Sequence, residues 1–486
     1  MFAGVLATYL ATTGGSMATD SMSYEVAKSL FESRSVAMSR NVHDMDAHRG
    51  VDGRYYSPYG IGHPLFAVPF YALGRLAETR LGVSVGRPEA VRKAAFVAGN
   101  AVAAALAVWI VVLFAWRLSG HLRAAVWTGM AVAFGSLLWP YAKFGFNAPV
   151  AALAVVAGLY ACWTGVRSDR GGLVVAGGLA LAGALLVRHE LALVGVIVGL
   201  WAVVELDRNW RPIARVWLAI GVPIAIATLL TLYYDDVRFG SPWDTGNLRD
   251  ATATFGAPWN GVAGLLVSPG RSVFLYSLVT LPGVLAFARL FRQDRSTAWL
   301  LGGVSVVLFL FYASLTYWDA DRSYGPRYLL PIVPLLCLPL ALTYAAADAG
   351  TRRRLALVLA LSALLQLPGV LVDFTKAGPA LGVRHPLEER RWNWRVASMN
   401  VNTQAIIRFA PDNLRYLAGV ATPPSVRPPE GLATDFSEQF GYSLDFWWLY
   451  LFYMGRVPAW LAVAAGGAAM LAAVFCFRRA AANRVS

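Results

Sequence analysis

The sequence predicts an all-α polytopic membrane protein of about twelve transmembrane helices, and three observations carry that expectation. Apolar residues make up 57% of the 486, charged residues only 14%, and mean hydropathy is +0.52. A soluble domain carries roughly a quarter charged residues. Apolar runs of membrane-crossing length recur along the whole chain. The basic residues behind the net charge of +14 form short clusters between those runs rather than one stripe. That is how topology is signalled, and it argues against a nucleic-acid partner.

Spans are expected at 2–15, 94–116, 124–139, 147–166, 171–187, 191–205, 213–233, 273–291, 297–316, 328–346, 355–372 and 457–477. The first is short for a bilayer crossing. With the N-terminus in the cytoplasm, every even-numbered connection is basic. These hold Arg117 and Arg123, then Arg167 and Arg170, then Arg208, Arg211 and Arg215. Arg289, Arg292 and Arg295 follow, then Arg352, Arg353 and Arg354, and the tail adds Arg478, Arg479 and Arg484. Residues 65–73 are too short to span and run into Arg75, Glu78, Arg80, Arg87, Arg92 and Lys93. They are expected to lie along the interface as an amphipathic helix, because counting them as a span would invert every basic cluster.

The expected organisation is a core over 1–373 that includes a first external loop, 16–93, with juxtamembrane helices. An external loop over 374–456 and a last span with cytoplasmic tail over 457–486 complete it. Connection 234–272 is also external. The protein is expected in the cytoplasmic (inner) membrane, its site facing the periplasm or exterior. No cleavable signal peptide is evident. Cys162, Cys337 and Cys476 sit far apart inside apolar runs, so neither a disulfide framework nor a zinc knuckle is readable. No Walker A loop, dinucleotide fingerprint or nucleophile elbow occurs. An activated substrate would therefore arrive through the membrane, linked to lipid.

Chemistry-bearing residues gather at the external ends of the spans. Asp20 follows the first span, where a carboxylate can act as a general base on a hydroxyl or simply cap a helix starting near Ser21. His43-Asp44-Met45-Asp46-Ala47-His48 packs four possible metal ligands, or forms a solvated turn. Arg188-His189-Glu190 joins two apolar runs with almost no loop, where ionisable groups line a cavity or, in a simple hairpin, snorkel to water. Arg188 is the expected anion ligand there. In Trp318-Asp319-Ala320-Asp321-Arg322-Ser323-Tyr324-Gly325-Pro326-Arg327-Tyr328, Arg322 and Arg327 suit phosphate through their planar forks, with Asp319 and Asp321 free to neutralise arginines instead. Arg271 is expected at a helix start, as an anion ligand or an interfacial anchor. Asp445-Phe446-Trp447-Trp448 offers an aromatic face to a sugar ring, or belongs to the membrane belt.

The order of these motifs resembles the GT-C superfamily of polytopic glycosyltransferases, in the branch of protein O-mannosyltransferases and lipid A aminoarabinose transferase. The resemblance rests on Asp20, on Tyr55-Tyr56-Ser57-Pro58-Tyr59-Gly60-Ile61-Gly62-His63-Pro64-Leu65, and on Trp139-Pro140-Tyr141. Arg238-Phe239-Gly240-Ser241-Pro242, the 268–272 run and Tyr324-Gly325-Pro326-Arg327-Tyr328 complete it. It implies transfer of a sugar from a polyprenyl-phosphate donor to a glycan, lipid or protein acceptor. Asp20 would be the catalytic carboxylate. Arg327, Arg322, Tyr324, Arg188, Glu190, Arg271, Tyr56, Tyr59 and His63 would bind substrate. Asn147 stands where such enzymes often carry a second acid, which argues against a bound metal; no cofactor is expected. A lipid-linked saccharide flippase is the alternative reading. It predicts charges at mid-membrane depth and two related halves, neither of which is visible in the sequence.

Overall fold

The computed structural model describes residues 1–14, 21–38, 47–83, 89–246, 254–320, 323–381, 387–420, 444–453 and 455–482. Helices dominate. In chain order they are α1 (Phe2–Ala11), α2 (Ser21–Ser33), α3 (Gly62–Arg80), α4 (Ala90–Ser119), α5 (Leu122–Phe134), α6 (Leu138–Ala142), α7 (Ala148–Arg167) and α8 (Gly171–Val187). Then come α9 (Ala192–Glu205), α10 (Trp210–Phe239), α11 (Pro258–Val267), α12 (Val273–Tyr276), α13 (Thr280–Gln293), α14 (Arg295–Ala313), α15 (Val333–Cys337) and α16 (Leu340–Ala345). The last are α17 (Ala349–Leu371), α18 (Ala377–Ala380), α19 (Leu387–Trp392), α20 (Ser398–Leu417), α21 (Trp447–Tyr453) and α22 (Ala459–Ala482). The two short strands, β1 (His48–Arg49) and β2 (Tyr55–Tyr56), pair antiparallel with His48 opposite Tyr56.

Among the described residues, six helices are long and apolar enough to cross a membrane: α4, α7, α10, α14, α17 and the 459–479 part of α22. Shorter apolar helices occupy the expected spans at 2–15, 124–139 and 171–187. Three expected spans are broken, 124–139 passing from α5 through residues 135–137 into α6. Pro334 and Pro339 remove backbone donors, so 328–346 divides into a 3-10 turn (Arg327–Leu329), α15 and α16. Span 273–291 divides at Ser277, whose hydroxyl accepts from the Leu137 amide at 3.0 Å. Residues 65–73 lie inside α3, a single helix packed on α2 and α4.

Small side chains set the packing. Ala101, Ala103, Ala104, Ala105 and Ala107 are fully buried on α4, which lies against α1, α5 and α7. In a bilayer, close helix approach of this kind replaces the hydrophobic drive that lipid removes. The outer face of α10 instead shows Leu218, Leu229 and Tyr233. At the ends carrying the basic clusters, Arg167 bridges Glu205 (2.8 Å) and Asp294 (2.5 Å), tying α7, α9 and α14.

Two long connections hold more helix than expected. Helix α10 runs six residues past its expected end, so Asp235 and Arg238 belong to it. The region read as a loop over 374–456 carries α18 to α21. Helix α20 alternates buried Val401, Ala405 and Phe409 with exposed Arg408 and Arg415, a polar amphipathic pattern that a search for apolar spans passes over.

Candidate functional site

The site forms where four connections meet: the 141–147 turn after α6, the 188–191 turn after α8, the 268–272 turn after α11, and the 323–328 run before α15. The first is held from below. Asn100 on α4 donates to the carbonyls of Phe144 (2.5 Å) and Phe146 (2.7 Å), and His63 Nε2 donates to Asn100 Oδ1 at 3.2 Å. An aromatic group shapes the floor: Phe374 touches Tyr141, Phe144, Phe146 and Tyr324, with ring centroids 4.3–6.1 Å apart.

Three guanidiniums gather around this floor, Arg327 directly over it. Arg188 Nε and Nη2 donate to Asn147 Oδ1 at 3.1 and 2.8 Å. Arg327 lies over the Phe146 ring at 4.7 Å, and both Arg188 and Arg327 lie 5.6 Å from the Tyr328 ring. Tyr312 stacks on Tyr328 at 5.3 Å and donates to Glu190 Oε1 at 2.8 Å. Arg271 donates to the carbonyls of Gly270 (2.8 Å) and Ser323 (3.2 Å). It joins the others through Tyr141, whose phenol feels both Arg271 and Arg327 and makes reciprocal bonds with the Tyr324 backbone. Arg188 and Arg271 are buried. Among the described residues no carboxylate lies within ion-pair distance of any of the three, and Arg188 Nη1 and Arg271 Nε have no hydrogen-bond partner.

Three glycines permit this assembly. A side chain at Gly60 or Gly62 would meet the backbone of Leu186 and Val187, so their absence lets the 59–63 segment lie beside the turn to Arg188. Gly325 has φ +68° and faces the Tyr276 ring, where a Cβ would collide.

Of the residues expected to act together, the structure unites Arg188, Glu190, Asn147 and Arg327, and reaches Arg271 through Tyr141. Tyr59 lies within electrostatic reach of Arg327, and His63 supports from beneath. Tyr324 is buried, edge-on to Tyr276 at 5.0 Å, with its hydroxyl on the Leu365 carbonyl, so it frames the site. Tyr56 stands apart: its hydroxyl donates to Asp52 at 2.8 Å and its ring meets Phe239. Burial works against the Asp52 carboxylate, but the Arg54 amide, the Tyr56 hydroxyl and the Arg54 guanidinium outweigh it and hold its pKa below the ordinary 3.8. Asp20, Arg322 and Asp321 lie outside the described residues, as do His43, Asp44 and Asp46. Among the described residues no group of three or more His, Cys, Asp or Glu forms a metal site.

Other candidates have different partners from those anticipated. Asp319 pairs with Arg391 at 3.0 Å, seventy-two residues on. Asp445 pairs with Lys143 at 2.8 Å, both fully buried, and the Trp447 and Trp448 indoles donate to the Leu10 and Ala11 carbonyls at the end of α1. Buried Arg238 pairs with Asp235 and donates to the Ser57 carbonyl, fixing the loop ahead of Tyr59. Lys143, Tyr312 and Phe374 escaped the sequence reading. A lysine flanked by apolar runs was a usable signal for the first; Tyr312 and Phe374 gave none.

The chain superimposes on ArnT from Cupriavidus metallidurans bound to undecaprenyl phosphate with a TM-score of 0.56. The two are 18% identical, over 90% of this chain and 82% of ArnT. The same enzyme in its apo state gives 0.55 at 17% identity over the same shares. The chain has the GT-C fold. Archaeal oligosaccharyltransferase AglB from Archaeoglobus fulgidus, in complex with an inhibitory peptide and a dolichol-phosphate, matches at 0.39 and 12% identity, over 87% of this chain and 59% of AglB. No protein-family model matches, and neither does any curated protein.

Proposed function

We propose that this protein transfers a sugar from a polyprenyl-phosphate donor to an acceptor hydroxyl on the external face of the membrane. The observation that carries this reading is the cluster of Arg188, Arg271 and Arg327, without a carboxylate partner among the described residues, beside an aromatic floor within a GT-C fold. Unneutralised guanidiniums sharing a partly buried site call for an anion, and their planar forks suit a phosphate. ArnT, which shares the fold, is bound to undecaprenyl phosphate in its structure.

The reaction is a single displacement. Asp20 takes the proton of the acceptor hydroxyl, the oxygen attacks the anomeric carbon, and the bond from that carbon to the phosphate oxygen breaks. The configuration inverts and the polyprenyl phosphate leaves carrying the electron pair. Arg327, with Arg188, Arg271 and Arg322, stabilises the charge growing on the phosphate, commonly the largest catalytic contribution. Glu190 and Tyr59 line the sugar side, and α3 lies along the interface beside the lipid.

Sugar release from a panel of polyprenyl-phosphate sugars by purified protein, beside Asp20→Asn, tests this. Turnover that vanishes in the variant while lipid binding persists supports the reading. Equal turnover removes Asp20 from catalysis. No turnover with any donor, together with movement of lipid between vesicle leaflets, supports the flippase reading instead.

A further inference from the structure

Lys143 and Asp445 are fully buried, 302 positions apart, and touch none of the three arginines. The Lys143 ammonium donates to the Val370 carbonyl (2.5 Å) and the Asp445 carbonyl (2.8 Å), and pairs with Asp445 Oδ2 at 2.8 Å. Tyr450 donates to Asp445 Oδ1 at 2.8 Å. The pair thus joins three chain segments that are far apart in sequence.

Each end of the junction leads to the site. On one side Lys143 opens the turn that carries Phe144, Phe146 and Asn147, the residues beneath Arg327 and Arg188. On the other, Asp445 sits where a side chain at Gly14 would be. The residues following it close the end of α1: the Trp447 amide donates to the Thr13 carbonyl (2.9 Å), and the two indoles take those of Leu10 (3.0 Å) and Ala11 (3.1 Å). Leu10 and Ala11 lie in the last turn of α1, where a helix leaves carbonyls open to outside donors. Helix α1 therefore ends on the C-terminal segment, and its chain continues to Asp20 six residues past Gly14.

We propose that the Lys143–Asp445 pair is a positioning device for the transfer reaction. It fixes the end of α1 against the turn that carries Phe146 and Asn147, the residues beneath Arg327 and Arg188. Neither residue touches substrate. The inference rests on the transferase reading for its catalytic consequence, but not for its structural one.

The test compares Asp445→Asn, which keeps the shape and loses the charge, with the double variant Lys143→Met/Asp445→Leu, which replaces the pair by apolar groups. Backbone hydrogen exchange and donor kinetics are measured on intact protein in nanodiscs. In Asp445→Asn, residues 10–13 and 144–147 are expected to lose protection together while the Arg167 cluster keeps its own. Turnover is expected to fall at least tenfold with little change in KM for the donor. In the double variant the thermal midpoint is expected to recover, since apolar replacement of a buried pair is often tolerated, while kcat stays low. Recovery of kcat along with the thermal midpoint would make the pair merely structural and overturn the proposal. So would unchanged exchange at both segments. If no donor in the panel turns over, the transferase reading fails, and the exchange comparison alone still decides whether the pair couples the two segments.

Discussion

Buried charge is handled in two opposite ways in this molecule. At the junction of α6, α17 and α21, Lys143 and Asp445 neutralise each other, and Asp319–Arg391 and Asp235–Arg238 repeat the pattern elsewhere. Around the 141–147 turn, Arg188, Arg271 and Arg327 make no ion pair among the described residues; their contacts are an amide, carbonyls and aromatic rings. A buried pair is sensitive to loss of one member, because the other is left charged and desolvated. A cluster of like charges is the reverse case, since removing one relieves repulsion. Charges placed for the fold and charges placed for a ligand should therefore respond to mutation in opposite senses.

The largest effect expected is on stability. Asp445→Ala strands the Lys143 ammonium and should destabilise the protein by about 3–5 kcal/mol, read from thermal or denaturant unfolding in detergent. Arg327→Gln should leave the unfolding midpoint unchanged or raised, while turnover falls roughly 10²–10³-fold. If both variants lost stability equally, the contrast between the two regions would collapse. Asn147→Ala frees Arg188 from its only side-chain acceptor among the described residues. Loss of a hydrogen bond to a charged group is worth about 1.5–3 kcal/mol, so kcat/KM should fall roughly tenfold or more, the arginine itself being retained.

The smallest effect concerns the loop away from the site. The Asp52 carboxylate is lowered below its ordinary 3.8 by Arg54 and Tyr56 despite the opposing effect of burial. Its contribution is complete above that ordinary value and fades as pH falls through the lower folded one. Asp52→Asn should cost no more than about 1 kcal/mol at neutral pH, as exposed pairs do. The difference from wild type should shrink in unfolding measurements below about pH 4. A large cost would show that this loop supports the arginine site after all.

Legibility in the sequence followed the same division. Apolar length located the helices, and the position of charges at span ends marked Arg188, Arg271 and Arg327 as a set. The role proposed for them rests on the lack of a carboxylate partner among the described residues, and pairing is a property of the fold. Asp319 sits eight residues before Arg327 yet pairs with Arg391, and Asp445, in a run that reads as a sugar platform or a membrane belt, pairs with Lys143. Tyr312 and Phe374 are ordinary aromatic residues of their segments; only packing places them around the arginines. Helix α20 was missed for another reason, because its polar face interrupts hydropathy while its 3.6-residue period persists.

The most direct measurement is a titration of undecaprenyl phosphate, with undecaprenol as the phosphate-free control, into wild type and Arg327→Gln. The account predicts that the phosphate lipid binds wild type and raises its unfolding midpoint, by about 2.7 kcal/mol of stabilisation at a hundredfold excess over Kd. The alcohol should do so far more weakly, and the variant should lose the distinction between the two. Equal binding of lipid and alcohol to both proteins would contradict the claim that the unpaired arginines form a phosphate site.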